Sequence, residues 1–181
     1  KSVFVQKAFA DGATDETKVT AVKELLAVAN GDTIALAQST SVETATVEAQ
    51  FSVIMEVIST LDEPTTASIS VPVNANINAN DSYMIPTGVQ LTIGTYGANE
   101  SARSGNESYT IKGENFHLFK AEGGKLIING GSYVVTGDNK YVIRSGFNPT
   151  DPKLSTEERV AKAGSLTGSV VINGGTFKSD S

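Results

Sequence analysis

The chain has 181 residues, 39% hydrophobic and 19% charged, with a net charge of −6; this is one ordinary domain with material for a continuous core. It has no cysteine, which excludes disulfides and thiolate metal sites, and no apolar run near the roughly 18 residues of a membrane helix, so membrane insertion is not expected. Residues 24–102 carry nine acids and no Lys or Arg; an acidic body repels phosphate backbones, so no nucleic-acid partner is expected.

Residues 1–32 read as a cap built on one helix. Thr14 or Asp15 can cap it, Asp15 and Glu16 suit its positive end, and Val19, Val22, Leu25, Leu26 and Ala29 share a face. Asn30-Gly31 stops it, and a strand over residues 33–37 follows at once. A helix placed before a stack of strands is expected to cover the open apolar end of the first layer.

Two long alternations come next. Ala45, Val47, Ala49, Phe51, Val53, Met55 and Val57 form a period-2 series, with Thr44, Thr46, Glu48, Gln50, Ser52 and Glu56 opposite. Ile69, Val71, Val73, Ala75, Ile77 and Ala79 form a second, alternating with Ser68, Ser70, Pro72, Asn74, Asn76, Asn78 and Asn80. Both predict strands with one buried and one solvated face. Run straight, each would span about 40 Å at roughly 3.3 Å per residue, so bends around corners are expected. The series begin near Ala45, Ile69 and Leu91, at intervals of 24 and 22 residues.

The C-terminal half repeats a phrase. Leu126-Ile127-Ile128-Asn129-Gly130-Gly131-Ser132-Tyr133 returns as Val170-Val171-Ile172-Asn173-Gly174-Gly175-Thr176-Phe177, and residues 91–96 look like a degenerate copy. Short apolar runs stopped by Asn-Gly-Gly predict buried strands ending in tight turns, because Asn and Gly tolerate the positive φ such turns need. Repetition of this kind predicts a solenoid whose strands stack layer on layer. The polar stretch 99–108 reads as an inserted loop. Val170 follows Leu126 at an interval of 44, read as one coil plus an insertion, because two prolines interrupt 148–152 and Ser155-Thr156-Glu157-Glu158 starts a short helix near 155–164 with a capping box. Further strands are expected near 116–121, 125–128, 132–135 and 140–144, with no linker dividing the chain.

Asp11-Gly12-Ala13-Thr14-Asp15-Glu16-Thr17 resembles the phrase that opens the capping helix of many pectate-lyase-like right-handed parallel β-helix proteins. Gly31-Asp32-Thr33-Ile34-Ala35-Leu36 and the Asn-Gly-Gly-Thr-Phe phrase are similar to the first and later coils of such proteins. The resemblance implies that Asn129 and Asn173 stack between coils. Its members include polysaccharide lyases, glycoside hydrolases, phage tailspikes and bacterial adhesins, so it does not select a function. The expected fold is therefore an all-β, right-handed parallel β-helix of five or six coils over residues 33–181, with residues 1–32 as cap. The alternative is an antiparallel sandwich or jelly roll.

Few residues promise chemistry. Glycoside hydrolysis needs two carboxylates flanking the bond; Asp62-Glu63 precedes Pro64 in a turn, and Glu157-Glu158 sits at a helix start. His117, the one histidine, reads as a half-exposed strand residue. Asp11, Asp15 and Glu16 offer oxygen ligands, but helix capping accounts for them, so no metal, cofactor or catalytic residue is assigned. The best binding candidate is the row Asn74, Asn76, Asn78 and Asn80, with Asp81 and Tyr83 beside it. Carboxamides match sugar hydroxyls and a tyrosine offers a stacking face, although a solvated strand surface has the same pattern. Asn129, Gly130, Gly131, Asn173, Gly174 and Gly175 are assigned to structural turns.

These readings favour a non-enzymatic structural or attachment module, such as a phage fibre, spike or capsid-decoration protein or a bacterial surface adhesin. It is expected outside the cell, on a virion or on a bacterial surface, as a homo-oligomer (a trimer above others) or docked on a larger particle, with a cell-surface glycan as a further candidate partner. The alternative is a glycan-binding module or a fragment of a polysaccharide-degrading enzyme.

Overall fold

Thr14 caps the first helix, α1 (Asp15–Ala29), by accepting the Thr17 N–H, and Asn30 ends it in the left-handed region at φ 40° with its own N–H on the Leu26 carbonyl. Val22 and Ala29 are buried and Val19, Leu25 and Leu26 pack beside them, the face the sequence predicts. These facts come from a computed structural model that describes residues 2–4, 14–37, 46–61, 63–94, 109–146, 154–162 and 167–180. The predicted loop at 99–108, the segment 148–152, Asp11 and Asp62 lie outside the described residues.

From Val47 onward the first alternation is a helix, not a strand; Thr44 and Ala45 lie outside the described residues. Thr46 accepts the Ala49 N–H at 3.2 Å and so caps α2 (Val47–Ile58). The buried residues are Gln50, Phe51, Ile54, Met55, Val57 and Ile58, which is the stripe of a 3.6-residue period. Ile54 and Ile58 decide the matter. A strand would have put both on the polar face with Glu48 and Glu56; the helix buries them with Phe51. Gln50 is buried at no cost in unmet hydrogen bonds, because its carboxamide donates to the Ala37 carbonyl at 2.9 Å and accepts the Ala37 N–H at 3.1 Å.

The strands fall into three sheets. The first contains β1 (Ser2–Phe4), β2 (Thr33–Ala35), β3 (Thr65–Ser70), β6 (Val89–Ile93), β9 (Lys125–Ile128) and β12 (Ser169–Ile172). The second contains β4 (Asn76–Asn78), β7 (Thr110–Glu114), β10 (Ser132–Thr136) and β13 (Thr176–Asp180). The third contains β5 (Tyr83–Pro86), β8 (Phe119–Glu122) and β11 (Ile143–Ser145). From β3 onward the chain visits first, second and third sheet in rotation. All these strands pair in parallel. A jelly roll or sandwich is built from antiparallel neighbours, so that alternative does not hold. Five or six coils were expected; the first sheet has six strands, but three rotations pass through all three sheets among the described residues.

Parallel pairing in register stacks like on like. Ile34, Ile69, Ile93, Ile128 and Ile172 form one inward column across the first sheet. Ile77, Ile111, Tyr133 and Phe177 form another across the second, and Tyr83, Phe119 and Ile143 a third. Ile172 lies opposite Ile128, as the repeated phrase requires. The 44-residue interval is thus one rotation plus an insertion carrying α3 (Thr156–Lys162). The capping box is present there: the Ser155 N–H donates to Glu158 Oε2 at 2.8 Å and the Glu158 N–H to Ser155 Oγ at 3.2 Å.

The second alternation does bend round a corner. β3 and β4 belong to different sheets, and Asn74, at φ 64°, makes the turn between them. The covering task falls differently from the expectation. It is α2 that packs on β4 and β5, the first strands of the second and third sheets, while α1 packs on β1, β2 and α2.

Candidate functional site

Period-2 geometry sets the asparagine row. Ala75 and Ile77 are buried, so Asn74, Asn76, Asn78 and Asn80 are exposed, with exposed Asp81 following. Asn76 and Asn78 stand beside Thr110 and Lys112 of β7 in the outward face of the second sheet. Tyr83 does not join them. Its ring is in the core, edge-on to Phe51 at 5.0 Å and tilted against Phe119 at 5.7 Å, so it offers no stacking face to a ligand. Burial pushes its phenol up to about 12, against a small pull from Ser52 and with the Glu48 carboxylate adding to the rise. The hydroxyl is enclosed, with Ser52 beside it but outside hydrogen-bond geometry. A cleft of about 300 Å³ brings Ser52 and Glu56 of α2 and its C-cap Ser59 against Asn80, Asp81 and Tyr83. The α2 residues escaped sequence reasoning because that segment read as a strand. A larger cleft, about 600 Å³, runs between α1 and the start of β3, with Lys23, Glu63 and Thr65 on its walls.

The Asn-Gly-Gly turns are structural. Asn173 Nδ2 donates to Asn129 Oδ1 at 2.8 Å, and Asn129 Nδ2 to the Gly94 carbonyl at 3.2 Å, a ladder running through three successive layers. The positive φ that each turn needs falls on the second glycine of the phrase, 94° at Gly131 and 114° at Gly175. The Gly130 carbonyl accepts from Tyr109 Oη at 2.9 Å and Tyr133 Oη at 2.7 Å. Gly174 lies in the equivalent turn, where Phe177 replaces the tyrosine and supplies no hydroxyl.

The acids are spread out. Glu158 is engaged in the α3 cap, Glu63 is exposed, and Asp15 reaches Lys18 at 3.9 Å on the first turn of α1. Among the described residues no three His, Cys, Asp or Glu side chains gather as metal ligands.

A cluster that sequence reasoning missed forms where the turn after the second sheet enters the third. His117 precedes β8 and Tyr141 precedes β11. The rings are stacked, 5.4 Å between centroids and 3° between planes. His117 Nδ1 accepts the Tyr141 N–H at 3.1 Å, which leaves the proton of the neutral ring on Nε2. Lys120 and Arg144 are direct cross-strand partners on the outward face of the third sheet, and Lys140 adjoins Tyr141. Burial, followed by Arg144, Lys140 and Lys120, holds the His117 imidazole below its usual pKa. His117 is half-buried, as the sequence predicts, but it lies in the turn before β8 rather than in a strand; its cationic surroundings come from register, which sets Lys120 beside Arg144 as it sets His117 beside Tyr141.

No protein family matches the chain, and no curated protein or solved structure matches it either.

Proposed function

We propose that this chain is a right-handed parallel β-helix acting as a non-enzymatic structural or attachment module, of the kind found in phage fibres, spikes and capsid-decoration proteins or in bacterial surface adhesins. The observation that carries the reading is the inward isoleucine column from Ile34 to Ile172, held in one parallel register across layers of unequal length. Such layers make a stiff rod with a continuous core. Right-handed crossover is the rule for parallel strands joined within one sheet. The working location is outside the cell, on a virion or on a bacterial surface.

An exposed apolar edge among the described residues bears on assembly. Ile172 is 52% exposed and Val171 37%, and β12 and β13 are edge strands of their sheets. Apolar edges of this kind pair with a partner, so a symmetric homo-oligomer, a trimer above others, or docking on a larger particle is proposed. Sedimentation at micromolar concentration is expected to give an oligomer that Ile172→Lys dissociates. A monomer in both forms removes the self-assembly reading.

The second reading, glycan binding, has the exposed row Asn74, Asn76, Asn78 and Asn80 in its favour. Fibre and glycan-binding readings share an expected outcome: a panel of neutral and acidic polysaccharides should yield no products on incubation with the chain. Product release that disappears with Glu63→Gln or Glu157→Gln would replace both readings with the enzyme.

A further inference from the structure

The His117–Tyr141 cluster has two halves with different chemistry. One is a flat aromatic platform. Tyr141 is 55% exposed, and His117 covers only one of its faces. Among the described residues the third sheet ends at β11, and no described strand lies over the other face. The second half is cationic. Lys120 and Arg144 are neighbours on adjacent strands, about 5 Å apart at the backbone, and Lys140 is joined directly to Tyr141. Glu122 reaches Lys120 at 3.9 Å, while no described carboxylate pairs with Lys140 or Arg144. In a chain of net charge −6 this is a local inversion of sign.

We propose that this platform and its cations form a binding site for a phosphate-substituted sugar, the ring lying on Tyr141 and the phosphate held by Lys120, Lys140 and Arg144. A sugar ring packs its C–H face on an aromatic side chain while its hydroxyls stay in water. With Glu122 partly offsetting Lys120, the two remaining cations match a phosphate monoester, which carries about −1.5 to −2 at pH 7. The guanidinium fork of Arg144 suits a tetrahedral oxyanion, and Lys140 and Lys120 act as point charges. A hexuronate, with a single negative charge, satisfies half of this demand. The Nε2–H of neutral His117 adds a donor at the edge of the platform. The lowered imidazole pKa, due first to burial and then to Arg144, Lys140 and Lys120, agrees with a surplus of cations around the ring.

The site deepens the attachment reading and rests on it, since it names the chemistry that would be gripped. The experiment keeps the two apart, because sedimentation reports assembly and the titration below reports the site. His117 is the only histidine, so its ring C–H resonances are a single, assigned reporter in the full chain. Glucose 6-phosphate is expected to shift them saturably and to move the imidazole midpoint upward, as an anion enters the cationic group. Glucose and galacturonate should bind at least tenfold more weakly, and inorganic phosphate more weakly than the sugar phosphate. Tyr141→Ala should reduce the sugar phosphate to the level of inorganic phosphate. Arg144→Gln should weaken both at least tenfold, with the other amide resonances unmoved as a check on folding. No saturable shift with glucose 6-phosphate overturns the proposal, as does an equal response to galacturonate. Equal affinity for inorganic phosphate and sugar phosphate also overturns it, leaving an adventitious ion only.

Discussion

Gly131→Ala is expected to destabilise the fold by about 3–5 kcal/mol, combining a strained backbone with overpacking. The same change at Gly175 should cost about 1–2 kcal/mol, from backbone strain. Both glycines have positive φ, 94° and 114°. They differ in what a methyl group would meet. At Gly131 it would sit 2.2 Å from Tyr109 Cε2 and 2.5 Å from Cζ, in a ring that is fully buried and hydrogen-bonded to the Gly130 carbonyl. At Gly175 its nearest neighbour is the Gly131 carbonyl oxygen at 3.1 Å. Urea unfolding of the two variants, compared at constant m-value, separates these contributions. Equal losses would mean that Tyr109 moves aside freely and that the turn is not locked by its ring.

The second large effect belongs to the cap. Phe51→Ala should cost about 3–5 kcal/mol, the usual range for emptying a buried aromatic site. Phe51 is fully buried and packs edge-on against Tyr83 at the first strand of the third sheet. Its loss should be felt locally. Hydrogen exchange is expected to accelerate in α2, β4 and β5, while β9 and β10, two layers away, keep their protection. Uniform acceleration through all layers would show that the molecule opens as one unit.

The two predictions bracket what was readable in the residues. The turn at Gly131 and its twin at Gly175 were visible because a strand, a turn and a strand recur in the same words. The length of the insertion followed from the same repeat, and Ser155 and Glu158 marked its helix. Helix α2 was not visible to a period-2 reading, because Phe51, Met55 and Val57 satisfy both periods and only Ile54 and Ile58 distinguish them. Tyr83 carried its own clue. It shares parity with Ile77 and Ile85, both buried, so alternation pointed it inward and away from the asparagines. The His117–Tyr141 group left no local trace. Lys120 and Arg144 become neighbours only when three connections of unequal length bring β8 and β11 into register, and no window along the chain contains that information.

Register has one more consequence. Successive strands of the first sheet pair Ile69 with Ile93, Ile93 with Ile128 and Ile128 with Ile172, although the chain between partners grows at each step. The wall counts only the few residues in each strand and is indifferent to the length of the bridges. Loop closure becomes only slowly more costly as a bridge lengthens. Evolution can therefore enlarge a bridge, or exchange one for another, without renegotiating the interior. In such a molecule the wall is inherited and the corners are free to experiment, so new recognition can arise at the rim while the spine stays the same.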